Sequence, residues 1–161
     1  MLFRSNVIPY IGGGEEEKIE TETLKILGSD GGRAPLAAAV SAQVNRVPVS
    51  DGHLMTVSVD LTSRPAVDAV VSAMRAFRGQ PQDLKLPTAP EAPLVVADEV
   101  NRPQPRLDAD LGGGMTVTVG RVRVCPVLTH KFVALGHNTI RGAAGASALN
   151  AELMHAQGLL A

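Results

Sequence analysis

Aromatic side chains are nearly missing from this sequence: they make up 2% of its 161 residues, and tryptophan is absent. Any core must therefore be filled by valine, alanine, leucine and isoleucine. There is one cysteine, Cys125, which excludes an internal disulfide framework and fits a reducing cytoplasm. No apolar run approaches the roughly 18 residues that a membrane span requires. Met1-Leu2-Phe3, followed at once by Arg4, is too short for the apolar part of a signal peptide. Neither sign of charge prevails: 15 Lys and Arg stand against 16 Asp and Glu. With no basic stripe, nucleic acid is not an expected partner. Hydrophobic residues at 45% and charged residues at 19% describe a globular chain. Its length suits one domain, or one domain with part of another.

No internal repeat or heptad pattern is present. Glu15 to Leu27 reads as a helix: Ile19, Thr23, Ile26 and Leu27 share a face, and Glu15, Glu16 and Glu17 occupy the first turn, where the helix dipole favours carboxylates. Leu36 to Val49 reads as extended, with Pro48 marking an edge or a bulge. Ser50-Asp51-Gly52 is turn chemistry, and His53 to Leu61 alternates cleanly, so these two runs are expected to pair as a hairpin. Pro65 opens a helix to Arg78, with Val67, Val70, Val71, Met74 and Phe77 as its apolar stripe. A Pro-rich stretch holds one short strand at Leu94–Ala97; strands Met115–Val124 and His130–Leu135 follow, and a helix from Ala143 to Gln157 closes the chain. The order predicts an α+β fold, its sheet mostly antiparallel or mixed, with helices covering one face.

Several residues could carry chemistry. Gly12-Gly13-Gly14 opens a helix and could bind phosphate through backbone N–H groups, but no Gly-Lys-Ser/Thr follows, and three carboxylates would repel an anion. A flexible entry to a surface helix is the competing reading. Glu15 and Lys18, at i and i+3, share a face; they are either a solvated pair or a site for an ammonium and an anion side by side. Arg46 and His53 flank the turn. Arginine clamps carboxylates and histidine exchanges protons near neutrality, but a salt-bridged arginine and a strand-end histidine paired with Asp51 fit the spacing equally. Cys125 lies among apolar neighbours and reads as an inert core thiol. His130 and His137 have no metal-like spacing, so no metal site is expected. Gly142-Ala143-Ala144-Gly145 could approach a cofactor or serve close helix packing; it lacks the full Gly-x-Gly-x-x-Gly pattern.

Four segments, taken together, resemble one family. They are Asn6-Val7-Ile8-Pro9-Tyr10-Ile11-Gly12-Gly13 with Glu15 to Glu22; Asn45-Arg46-Val47-Pro48-Val49 with Asp51-Gly52-His53; Arg102-Pro103-Gln104-Pro105-Arg106-Leu107-Asp108; and His137-Asn138-Thr139-Ile140-Arg141-Gly142-Ala143-Ala144-Gly145. In this order they resemble aspartate-semialdehyde dehydrogenase of the archaeal and fungal type, from about Asn6 to the end. The resemblance implies NADP-dependent reductive dephosphorylation of aspartyl 4-phosphate through a cysteine thioester. By carry-over, His53 is the general acid/base, Arg46 grips the substrate carboxylate, Glu15 its amino group, and Lys18 the departing phosphate. Asn138, Gly142 and Gly145 would lie by the nicotinamide end of the cofactor.

The resemblance also implies that the nucleophile and most of the nucleotide site precede the segment matched here. Cys125 matches a different family position. Met1–Ser5 departs from the pattern, so a truncated gene, a frameshift or a misplaced start codon is expected, and the chain alone should be inactive. Residues 1–136 would form the substrate-binding and dimerisation part. Residues 137–161 would pack on the nucleotide domain, leaving Leu149, Leu153 and Met154 exposed without it. A cytoplasmic homodimer is expected. The rivals are a malonyl-coenzyme A reductase-like fragment, which Glu15→Gln should spare, and a non-catalytic dimerisation module.

Overall fold

In a computed structural model of the chain, residues 6–160 are described. The readings made on Met1–Ser5 fall outside them. The chain divides into two compact units, which meet in sequence between Pro48 and Val49.

The first unit contains one long helix, α1 (Glu15–Ile26). Gly14 enters it in the left-handed region, and Glu15, Glu16 and Glu17 stand at its positive end, as expected. After α1 the chain turns back: Leu36 N–H donates to the Leu24 carbonyl at 2.8 Å. The expected strand over Leu36–Val49 does not form. Apart from the bridge at Arg46 no ladder runs along it, and two of its N–H groups are taken by side chains. Ala42 N–H donates to Glu20 Oε1 at 2.8 Å and Val44 N–H to Glu16 Oε1 at 2.9 Å. Two residues further, Arg46 and Ile8 exchange both backbone bonds, at 2.8 and 3.0 Å. Alternate N–H groups of an extended segment point the same way, so two helix carboxylates and one short bridge satisfy a single edge.

The second unit contains the sheet. Its strands are β1 (His53–Val59), β2 (Leu94–Ala97), β3 (Val117–Val124) and β4 (His130–Gly136). Their spatial order is β1-β4-β3-β2. The β1–β4 and β4–β3 pairs are antiparallel and β3–β2 is parallel, so the sheet is mixed. The hairpin expected between Leu36–Val49 and His53–Leu61 is absent, because β1 takes β4 as its neighbour instead. Arg121 adopts φ 57° where the β3–β4 register shifts, a local bulge that no periodicity announces.

Helix α2 (Val67–Ala76) packs on β2 and β3. Its expected stripe holds at Val67, Val70, Val71 and Met74, but Phe77 lies past the last turn and is 55% exposed. Two single-turn helices, α3 (Gln80–Asp83) and α4 (Pro105–Asp108), punctuate the Pro-rich stretch. Gly120 lies so close to the Arg102 carbonyl that a Cβ would come within 2.3 Å of it, which fixes that segment against β3. The core is aliphatic, as the composition requires: Leu135, Val119, Met115, Ala134 and Ala109 are buried.

The last strand leads through a π-turn, Ile140–Ala144, into helix α5 (Gly145–Ala156). Leu149 is buried, contrary to the expected exposure, and Leu153 is half-buried; only Met154 is exposed. The reason lies on the same face of α5. Glu152 accepts from Thr88 N–H at 2.9 Å and from its hydroxyl at 2.5 Å, which seats that face on the Pro-rich stretch. No helix among the described residues is long and apolar enough to cross a membrane.

Candidate functional site

Within the second unit, the end of β4 and the start of β1 come together. His53 stands directly opposite Gly136. Paired residues on adjacent strands bring their Cβ atoms within about 5 Å, so the glycine leaves open space beside an exposed imidazole. One residue earlier, buried Gly52 donates its N–H to Asn138 Oδ1 at 3.1 Å. Gly52 has φ 104°, and a Cβ there would come 2.9 Å from Leu135 Cδ1. Both the conformation and the contact require glycine.

His137 is buried, and its Nδ1 accepts the backbone N–H groups of Thr139 (3.2 Å) and Ile140 (3.3 Å). Nδ1 therefore carries no proton in this arrangement. The ring caps the π-turn in the manner of an N-cap side chain, while the Gly142 N–H donates to the His137 carbonyl at 2.9 Å. His137 Nε2 lies 3.6 Å from Asp110 Oδ1, beyond hydrogen-bond reach. The two glycines of the turn differ. A Cβ on Gly145 would strike Met115 Sδ at 2.4 Å, so close packing accounts for that glycine. Gly142 is exposed, and a Cβ there would meet only the His137 carbonyl at 3.5 Å. Gly142 thus has open space beside it where Gly145 has none.

Beneath Gly52, Pro105 and Ala109 also lie within contact distance. They belong to the turn held by Asp108, whose side chain is 1% exposed. Its carboxylate takes two hydrogen bonds from the Arg102 guanidinium and one from Gln104 N–H at 2.6 Å. The Arg102 hydrogen bonds hold the Asp108 carboxyl below the ordinary carboxylate range, and the Gln104 N–H adds to this against the cost of burial. The same pairing raises Arg102.

The first unit holds the other candidates. Arg46 is exposed and fixed through its backbone bridge to Ile8. Glu15 is half-buried and Lys18 exposed on α1. Among the described residues neither of them forms an ion pair, so the two charges are not consumed by each other. The face that carries them is distinct from that of Glu16 and Glu20, which hold the extended segment.

Cys125 stands apart. Its neighbour Val124 pairs with His130, at one end of β4, whereas His53 faces Gly136 at the other end. Six residue steps at roughly 3.4 Å each put the two about 20 Å apart. The Leu128 N–H, 3.4 Å from Sγ, and that of Val127 hold the thiol below its ordinary value; burial opposes them, and Ser58 and Lys131 add smaller pulls the same way. The thiol is nonetheless buried. Sequence reasoning assigns no role to Gly52, Gly136 or His137. The available signal for Gly52 is its place between a turn aspartate and a strand-opening histidine; for His137 it is adjacency to Asn138.

Comparison with known proteins follows the same outline. The family described as semialdehyde dehydrogenase, dimerisation domain, matches residues 3–141. The aspartate-semialdehyde dehydrogenase of Methanothermobacter thermautotrophicus is 54% identical over 159 residues, covering 96% of this chain and 46% of that protein. The aspartate-semialdehyde dehydrogenase of Schizosaccharomyces pombe is 47% identical and is covered to 45% of its length. A crystal structure of the Candida albicans aspartate-semialdehyde dehydrogenase with NADP superimposes with a TM-score of 0.87 at 43% identity, covering 98% of this chain and 46% of that one. The chain thus spans somewhat less than half the length of the relatives it matches.

Proposed function

The chain belongs to the semialdehyde dehydrogenase dimerisation-domain family, and from that premise we propose that it is the substrate-binding and dimerising part of an NADP-dependent aspartate-semialdehyde dehydrogenase. One observation carries the reading. His53 comes from one motif and Asn138 and the exposed Gly142 from another, distant one, yet β1 and β4 bring them to one end of one sheet. A general acid/base needs free space at its ring and a rigid support. His53 has both, with Gly136 opposite and Gly52 locked behind it.

In the proposed reaction, aspartyl 4-phosphate gives aspartate semialdehyde and phosphate. His53 moves the proton at the reacting carbonyl. Arg46 clamps the α-carboxylate, Glu15 pairs with the substrate ammonium, and Lys18 takes the phosphate. The residues at the π-turn fit a nicotinamide cofactor: Gly142 leaves backbone exposed, and the fixed flip of Asn138 turns its Nδ2 donor away from Gly52. The reduced cofactor, NADPH, would supply the hydride when bound; Gly145, being packed inward, would support the turn rather than touch the ligand. Cys125, at the far end of the sheet from His53, has no part in this reading, which assigns the nucleophile to the part of the enzyme that the chain does not cover. Residues 137–161 would complete the contact with the nucleotide-binding part, Met154 being available for it. The active form is a homodimer of a cytoplasmic enzyme.

The test is to join this chain in frame behind the part of the Candida albicans enzyme that it does not cover. The joined protein should reduce NADP with aspartate semialdehyde and phosphate, while the isolated chain should not. His53→Ala should then lower kcat about 10²–10⁴-fold, the range for losing a general acid/base. A joined His53→Ala protein with full activity would remove His53 from the mechanism.

A further inference from the structure

The geometry points to Asn138 as a positioning residue that holds His53, apart from any contact it makes with a cofactor. This rests on the reading of His53 as the acid/base. The hydrogen bond from Gly52 N–H to Asn138 Oδ1, at 3.1 Å, ties the residue before His53 to the end of the neighbouring strand. The donor is a backbone N–H, so the carboxamide orientation is settled: the oxygen faces Gly52 and the NH₂ faces away.

Gly52 cannot drift in the other directions. Leu135 Cδ1, Pro105 Cβ and Ala109 Cβ stand 2.9, 3.5 and 3.7 Å from where its Cβ would be. Asn138 is itself held, because the next-door His137 ring caps the N–H groups of Thr139 and Ile140 and is packed against Gly114. The Arg102–Asp108 pair holds the turn that supplies Pro105 and Ala109. The backbone at His53 is thus restrained from both sides. The apolar side sets where Gly52 rests, and the Asn138 oxygen sets how its peptide plane is turned. That plane is the Asp51–Gly52 peptide; with Gly52 held at φ 104° by its packing, it sets how the chain enters β1 at His53. A misplacement of about 1 Å at a reacting group can cost 10²-fold in rate, so the bond bears on catalysis while touching no substrate. Asparagine suits this role because its oxygen accepts from the backbone without adding a charge beside the imidazole.

The 161-residue chain, isotopically labelled, tests this by nuclear magnetic resonance without catalysis. In the wild-type chain a through-hydrogen-bond coupling should connect the Gly52 amide nitrogen with the Asn138 side-chain carbonyl carbon. Its absence from a spectrum that resolves the backbone couplings of β1 and β4 overturns the proposal, and this measurement needs no variant. In Asn138→Ala, Gly52 amide exchange should quicken at least tenfold, and the single His53 χ1 rotamer should average, while His155 on α5 stays unchanged. Asn138→Asp keeps the acceptor oxygen and should restore both. Unchanged Gly52 exchange and an unchanged His53 rotamer in Asn138→Ala would refute the positioning role. These readouts report geometry alone, so they fail or hold independently of the activity test on the joined protein, which judges the role of His53 itself.

Discussion

The two units of the chain are organised by different forces. Residues 6–48 include no fully buried residue, whereas every buried side chain, from Met115 and Val119 to Leu149, lies after Val49. The first unit is held by polar bonds: Glu16 and Glu20 satisfy an extended segment that finds no strand partner. The second is held by aliphatic packing around a four-stranded sheet. The chemistry divides along the same line. Glu15, Lys18 and Arg46, the groups proposed to grip the substrate, stand on the unit without a core. His53, the proposed acid/base, opens a strand of the unit with one. An ion clamp tolerates side-chain latitude because charge attraction is long-ranged; a proton-transfer group does not, because its hydrogen bond must be aligned. The difference teaches that rigidity is concentrated where alignment matters.

Removing one polar group from the packed unit tests that division most severely. Asp108→Ala leaves the Arg102 guanidinium, 27% exposed, without its partner and frees the turn under Gly52. The loss should be about 3 kcal/mol, the low end for breaking a buried pair because Arg102 reaches solvent. It would be read as a lower denaturant midpoint for the sheet unit. The pH dependence follows from the same carboxylate. Its folded value is lowered, so its contribution is fully present above the ordinary carboxylate value of about 3.9 and is lost as pH falls below that toward the folded value. Asp108→Ala should therefore flatten the acid limb of stability. An unchanged acid limb would show that other carboxylates set it.

The mirror test lies in the first unit. Glu16→Gln with Glu20→Gln keeps the shape of the side chains but removes the charge that strengthens the bonds to Ala42 and Val44. Each bond should lose about 1 kcal/mol or less, since both sites are half-buried. Amide exchange at Ala42 and Val44 should quicken several-fold, with the midpoint of the sheet unit unmoved. If that midpoint fell as well, the two units would not be energetically separate.

The contrast also explains what could be read from sequence. The strands β1, β2, β3 and β4 were legible because each alternates or runs apolar at a period of two, and α1, α2 and α5 because their apolar positions recur at helical spacing. Each is a local pattern. Leu36–Val49 has a strand's composition, yet two of its N–H groups are taken by glutamate side chains, and no periodicity announces that. The hairpin expectation failed because β1 finds its partner in β4, far along the chain. Among the candidate residues, His53, Arg46, Glu15 and Lys18 were singled out by residue chemistry and spacing and received their roles from the motif resemblance, and Asn138 was read only as a cofactor residue. The Gly52 bond was hidden because it joins two motifs that sequence alone leaves unconnected. Gly145 shows the same limit from the other side: only Met115 and Ile140, placed against it in three dimensions, distinguish a packing glycine from a ligand-facing one.

The smallest expected effect sharpens the comparison furthest. Glu15 and Lys18 occupy one helix face three residues apart, yet no ion pair joins them. A double-mutant cycle with Glu15→Gln and Lys18→Met should then show a stability coupling of no more than about 0.1 kcal/mol, below the roughly 0.2–0.5 kcal/mol usual for a helix pair. The same cycle, run on substrate affinity in the joined protein, should show a larger loss from each single change. That outcome would mark the two charges as serving a ligand rather than each other. A stability coupling near that of an ordinary helix pair, with affinity unmoved, would return Glu15 and Lys18 to the solvated surface and leave the first unit without a clamp.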